Sequence, residues 1–270
     1  MHVLRNAAAA AIVALAFGSS ALGNAARANA TRPPALPQVA ARARAPYVAV
    51  LVWHDVLPVK DVYFDTTTRD FGAQLDTIAR GGYHVVTLAA LRDRLVSGAP
   101  LPTRPLVLTF DDNGAGIYEH AFPLLRAHRF PATLFVHTNY VGKTTSKRHC
   151  TWEQLRAMQR SGLIDVQSLT ANHPPDLTKL SDADVRHELT LSSTSLERRL
   201  GRRPYALVYP YDVYDARVER LAHDAGYVLG FTEDHGNAAD SPSLLEIHRY
   251  SITVPERFDE ALRTVAAAPR

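Results

Sequence analysis

From residue 47 onward the chain alternates short apolar runs of strand length with segments of helical length, and this alternation limits the folds open to it. Residues 47–53 are apolar throughout, and 106–110 and 132–136 nearly so. A strand that is apolar on both faces needs cover on both, as in a parallel sheet wrapped by helices. Further strands are predicted at 83–87, 164–168, 206–209, 227–231 and 247–254, and helices at 71–81, 88–96, 117–128, 151–161, 181–200 and 216–225. Thr151 and Ser181 suit the N-caps of two of these helices, because their hydroxyls can accept from free amides of the first turn. Seven or eight such units favour a closed or nearly closed α/β barrel over an open doubly wound sheet. No Gly-x-Gly-x-x-Gly follows the first strand, which disfavours a Rossmann nucleotide fold.

The first 46 residues read differently. Arg5, the apolar run 7–17 and Ala28-Asn-Ala30 fit a cleavable secretory signal over 1–30. The run is short and alanine-rich for a membrane span, so no stable span is expected after cleavage. Residues 31–46, rich in Pro, Ala and Arg, read as a flexible leader to one domain at 47–270. Such a chain would be periplasmic or secreted. Without residues 1–30, which hold two arginines and no acids, the 30 basic residues fall to 28 against 27 acidic. That balance, with no run of like charge, gives no reason to expect a nucleic-acid partner. Cys150 is the single cysteine, so no internal disulfide forms, and a bystander role suits it better than a catalytic thiol.

Leu106-Val-Leu-Thr-Phe-Asp-Asp112 is a strand that ends in two carboxylates. In a β/α barrel the C-terminal strand ends form the active rim. The same rim would gather His54-Asp55, His137, Ser168-Leu-Thr-Ala-Asn-His173, Tyr211-Asp212 and His248-Arg249. One acid of the pair could bind a cation while the other takes a proton from water. Read locally, the pair could equally cap a helix or make an Asx turn into Asn113-Gly114. His173, between Asn172 and Pro174, could equally be part of a surface turn.

Thr109-Phe-Asp-Asp112, then Pro123-Leu-Leu125 and Pro131-Ala-Thr-Leu-Phe-Val136, resembles the first block of the polysaccharide deacetylases, the NodB-homology proteins of carbohydrate esterase family 4. Ser168-Leu-Thr-Ala-Asn-His173-Pro174 is similar to the family's Ser-His-Thr-x-x-His-Pro, and Tyr209-Pro-Tyr-Asp212 to its Pro-Tyr-Gly block. The segments 51–56 and 247–252 resemble the ends of the extracellular branch that acts on poly-N-acetylglucosamine. The resemblance implies a distorted (β/α)7-type barrel and hydrolysis of N-acetyl groups on an aminosugar polysaccharide. It implies Asp111 as general base, Asp112 and His173 as ligands of a divalent metal such as zinc, and the Tyr211 amide as oxyanion donor. His54, Tyr209 and Pro210 would line the substrate groove.

Several positions depart from the pattern. Leu169 occupies the family's first metal-histidine position and has no donor atom. Asn113 and Asp212 stand where glycines are usual, and Val208 stands where many members carry an arginine that orients the base. A catalytic zinc normally keeps three protein ligands and one open position. His54, His137, Asn172 and Asp212 are the candidate replacements for the missing ligand. The alternative to an enzyme is a non-catalytic glycan-binding relative with a degenerate metal site, its rim aromatics stacking on sugar rings. A third reading is a hydrolase acting on another amide or ester through Asp111 without a tightly held metal.

Overall fold

The computed structural model describes residues 36–43 and 47–267. The signal expected at 1–30 lies outside the described residues. The strands are β1 (Ala49–Trp53), β2 (Val56–Leu57), β3 (Thr66–Thr67), β4 (His84–Val85), β5 (Pro105–Phe110), β6 (Ala132–Val136), β7 (Ile164–Ser168), β8 (Ala206–Val208), β9 (Leu229–His235) and β10 (Ile247–Ser251). The α-helices are α1 (Thr68–Arg80), α2 (Leu88–Ser97), α3 (Phe122–His128), α4 (Trp152–Arg160), α5 (Asp182–Leu200), α6 (Ala216–Asp224) and α7 (Pro255–Ala266).

Seven parallel strands form a ring in the order β1-β10-β9-β8-β7-β6-β5, closed because β1 also pairs with β5. The two-residue β4 adds to the start of β5, and β2 and β3 make a separate small pair. The α/β barrel expected from the alternation is therefore the fold. Thr151 caps α4 with a reciprocal bond from the Gln154 side chain, and Ser181 caps α5. The helix expected over 117–128 opens instead with a π-helical turn at Ile117–Ala121 before α3.

Alternation of side chains along each strand divides the core. Ala49, Leu51, Trp53, Leu106, Leu108, Phe110, Leu134 and Val136 pack outward under the helices, where Trp53 stacks on Phe110 and meets Phe71 edge-on. Val50, Val107, Phe135, Leu169, Val208, Phe231 and Ile247 pack together inside the ring. Leu88, Leu91 and Leu95 of α2 join that inner cluster beside the strand starts Val48, Ala206 and Leu229, so α2 closes the floor of the barrel. Val39 and Ala43 are buried in the same cluster, and the Ala40 amide donates to the Leu95 carbonyl at 2.8 Å. The leader expected over 31–46 is thus packed against the barrel at residues 36–43 rather than free. Among the described residues no helix is long and apolar enough to cross a membrane.

Candidate active site

Inward parity carries β5 from Val107 through Thr109 to Asp111, so this acid points into the mouth of the barrel. Its amide donates to the Trp53 carbonyl at 2.9 Å, continuing the ladder with β1. Both carboxylate oxygens are held by Arg249 of β10, with Nη1–Oδ1 at 3.0 Å and Nη2–Oδ2 at 2.8 Å. Arg249 is fully buried, its Nε donates to the Thr232 carbonyl at 2.8 Å, and it lies between the faces of Phe135 and Phe231. A bidentate guanidinium fixes both the position and the plane of the acid. Val208 offers Asp111 no guanidinium; Arg249 supplies one from another strand.

Asp112 faces elsewhere because the chain turns sharply. Asp112 and Asn113 both adopt left-handed backbone, with φ of 68° and 43°. Such conformers are costly outside glycine and need support from neighbours. That support comes from a loop that follows β6. His149 Nδ1 lies 3.2 Å from the Asp112 carbonyl, the Cys150 amide donates to the Asn113 carbonyl, and the Ala115 amide donates to the Arg148 carbonyl. Gly114 is required here: a Cβ would sit 2.5 Å from the buried Asp55 carboxylate. Burial raises Asp55 to about 6. Cys150 is buried, its thiol bonded to the Gly114 carbonyl and pushed up to about 12, which suits a packing role.

Asp112 is 36% exposed, and its Oδ1 lies 3.6 Å from His173 Nε2 and 3.9 Å from His137 Nε2. Glu188 of α5 fixes the His173 loop by accepting from the Ala171 and Asn172 amides and the Asn172 side chain. Burial pushes His173 below its ordinary value, and pushes His137 down to about 3 with help from the neighbouring His173 and His149. Neutral imidazoles are what metal ligation requires.

Two donor sets therefore share this rim. His54, Asp111 and Glu233 can each place one ligand atom within 4.8 Å of the others. Asp111 is nevertheless a poor metal ligand, because both its oxygens are committed to Arg249 and an ion there would sit beside a buried cation. Asp112 with His173 and His137 has no such conflict, and two imidazoles with one carboxylate suit zinc or a similar divalent ion.

A cavity of about 410 Å³ opens over Asp112, bounded by His54, His137, His149, His173 and Tyr211 among others. A second, of about 330 Å³, shares His54, Asp112, His173 and Tyr211 and reaches Asp111 and Glu233. Tyr211 is 66% exposed with φ of 53°, and its ring packs against His173 at 4.6 Å between centroids. Pro210 is buried at the start of this turn.

The structure thus brings Asp111, Asp112, His173, His54 and Tyr211 to one mouth. Tyr209 borders the second cavity, but outward parity buries its ring, which stacks on Tyr214, and its hydroxyl donates to the Leu245 carbonyl. Leu169 is 1% exposed within the inner apolar cluster. Sequence reasoning missed Glu233 and His149, and gave Arg249 no role. Glu233 lies on a part of β9 that runs four residues past its expected end at 231.

Residues 98–230 match the family model for polysaccharide deacetylase. This chain carries a polysaccharide deacetylase domain. It is 25% identical over 263 residues to the poly-beta-1,6-N-acetyl-D-glucosamine N-deacetylase of Escherichia coli K12, covering 78% of this chain and 39% of that protein. The chain spans 39% to 64% of the length of the first curated relatives it matches. Among solved structures, the Streptococcus pyogenes deacetylase PplD superposes with a TM-score of 0.75 at 24% identity, over 82% of this chain and 98% of that one. IcaB from Ammonifex degensii gives 0.72 at 24% identity, over 82% and 97%. At that identity these two likenesses establish the shared barrel.

Proposed function

We propose that this domain removes N-acetyl groups from an aminosugar polysaccharide, with poly-N-acetylglucosamine as the favoured substrate class. The observation that carries the reading is the separation of duties between the two acids: Asp111 is clamped by Arg249, while Asp112 faces His173 at 3.6 Å beside an open cavity. The activity named for the Escherichia coli relative supports the choice of polymer. The sequence signal at 1–30 supports action outside the cytoplasm, in the periplasm or beyond.

Asp112 and His173 would hold a divalent ion, zinc by the nature of the donors. When bound, such an ion polarises the acetyl carbonyl and acidifies water. Asp111, aligned by Arg249, accepts the proton from the attacking water. The Tyr211 amide, on its left-handed turn at the cavity, donates to the developing oxyanion. His54 borders both cavities with Glu233 3.7 Å from its Nε2, and is placed to bind the sugar and return a proton to the departing amine. The water oxygen becomes part of acetate, the C–N bond breaks, and a free amine remains on the sugar.

Leu169 favours a second reading, a glycan-binding relative without catalysis. Acetate release separates the two. Zinc-loaded protein given acetylated chitooligosaccharide or poly-N-acetylglucosamine should liberate acetate. Chelation should stop it, and Asp111→Asn should lower it by about 10²–10⁴-fold. Glycan binding by zinc-loaded protein without acetate release would establish the second reading instead.

A further inference from the structure

The register of β6 on β7 pairs Val136 with Ser168, and the Leu169 amide donates to the Val136 carbonyl at 2.9 Å. The next inward pair along this ladder is His137 beside Leu169. The chain therefore has a histidine on the strand adjacent to the position where a histidine is missing. Of the other three candidate replacements, two are occupied: Asn172 bonds to Glu188 and Asn139, and the Asp212 carboxylate accepts from the Glu233 amide at 2.9 Å. His54 also has an unpartnered Nδ1, but its Nε2 lies 3.7 Å from Glu233, whereas His137 lies beside Asp112.

His137 is only 4% exposed, yet neither ring nitrogen has a hydrogen-bond partner among the described residues. Its Nδ1 is fully buried, and its Nε2 faces Asp112 Oδ1 at 3.9 Å, beyond hydrogen-bond reach. An imidazole buried in that state lacks a partner. Its mounting is firm: the Asn113 side chain accepts from the His137 amide at 3.2 Å, and Tyr140 and His149 hold the ring edge-on, with centroids at 4.6 and 4.9 Å. His173 Nε2 approaches the same Asp112 oxygen, and the two imidazole centroids are 5.3 Å apart. Ligands about 2.0–2.2 Å from a tetrahedral ion lie roughly 3.3–3.6 Å from one another. Each imidazole is already 3.6–3.9 Å from the Asp112 oxygen, and the two rings must turn toward one another to share an ion.

We propose that His137 is the third protein ligand of the metal, the donor having moved by one strand from the position of Leu169 to the neighbouring end of β6. This deepens the proposed function and rests on its assignment of Asp112 and His173 to the metal. It also gives Asn113 a purpose: its side chain ties the end of β6 to the acid-bearing turn.

Zinc affinity by chelator competition and the visible spectrum of the cobalt-substituted protein test this without reference to turnover. His137→Leu should weaken zinc binding by at least about 100-fold, more than loss of a supporting contact usually does, and should alter the cobalt bands. The exchange His137→Leu with Leu169→His should recover both. X-ray absorption on zinc-loaded wild-type protein, which involves no altered chain, should count two imidazoles; one would overturn the proposal. Wild-type affinity and spectrum in His137→Leu would also overturn it. If Asp112→Asn and His173→Gln lose the metal while His137→Leu keeps it, only the assignment of His137 fails. If those two variants also keep it, the metal reading of the whole site fails.

Discussion

Asp111 and Asp112 are covalent neighbours in opposite environments. Asp111 is buried, extends the β5 ladder and gives both oxygens to Arg249. Asp112 sits on a left-handed turn, is about a third exposed and faces two imidazoles. Adjacent carboxylates acquire different environments from what surrounds them, as the proposed roles of proton acceptor and metal ligand require. A third buried acid, Glu219 of α6, has no guanidinium hydrogen-bonded to it among the described residues; burial, reinforced by Glu246, raises it to about 8 against the opposing pull of Arg220.

The sharpest way to break the contrast is to remove the guanidinium. Arg249→Leu leaves Asp111 buried and unpaired and should cost about 3–5 kcal/mol in chemical denaturation. Adding Asp111→Asn should recover much of that loss, since no uncompensated charge then remains. If the single and double variants prove equally unstable, packing of Arg249 rather than its charge is the larger effect.

A smaller effect should appear at Glu219. Its folded-state value is raised from 4.5 to about 8, so between those pH values the folded protein keeps a proton that the unfolded chain has released. Stability should therefore fall as pH rises through that window and level off above it. Glu219→Gln should remove this slope, gaining on the order of 1–3 kcal/mol over wild type at pH 8.5 with little difference near pH 4.5. Parallel denaturation curves at both pH values, with an unchanged difference between the two proteins, would contradict it.

The barrel was legible because apolar runs such as 106–110 and 132–136 have no use outside a covered parallel sheet. The acid pair and His173 were legible because they end such runs or follow them in a recognisable order. What escaped depended on pairing between strands. Arg249 acts on Asp111 across 138 residues of sequence, and only inward parity on β10 reveals it. Glu233 was missed because β9 continues through polar residues to His235, held there by its partner β10. His137 gains weight only when the register of β6 on β7 sets it beside Leu169. The packing of the Tyr209 ring against Tyr214 escaped for the same reason, because it follows from the parity of the residue just past β8.

The division of labour between the two acids can be seen directly in crystals of the zinc-loaded protein, from anomalous scattering at the zinc edge. A single peak bonded by Asp112, His137 and His173, with Asp111 still gripped by Arg249, is the expected result. A peak bonded by Asp111, His54 and Glu233 would contradict it and exchange the roles of the neighbouring aspartates.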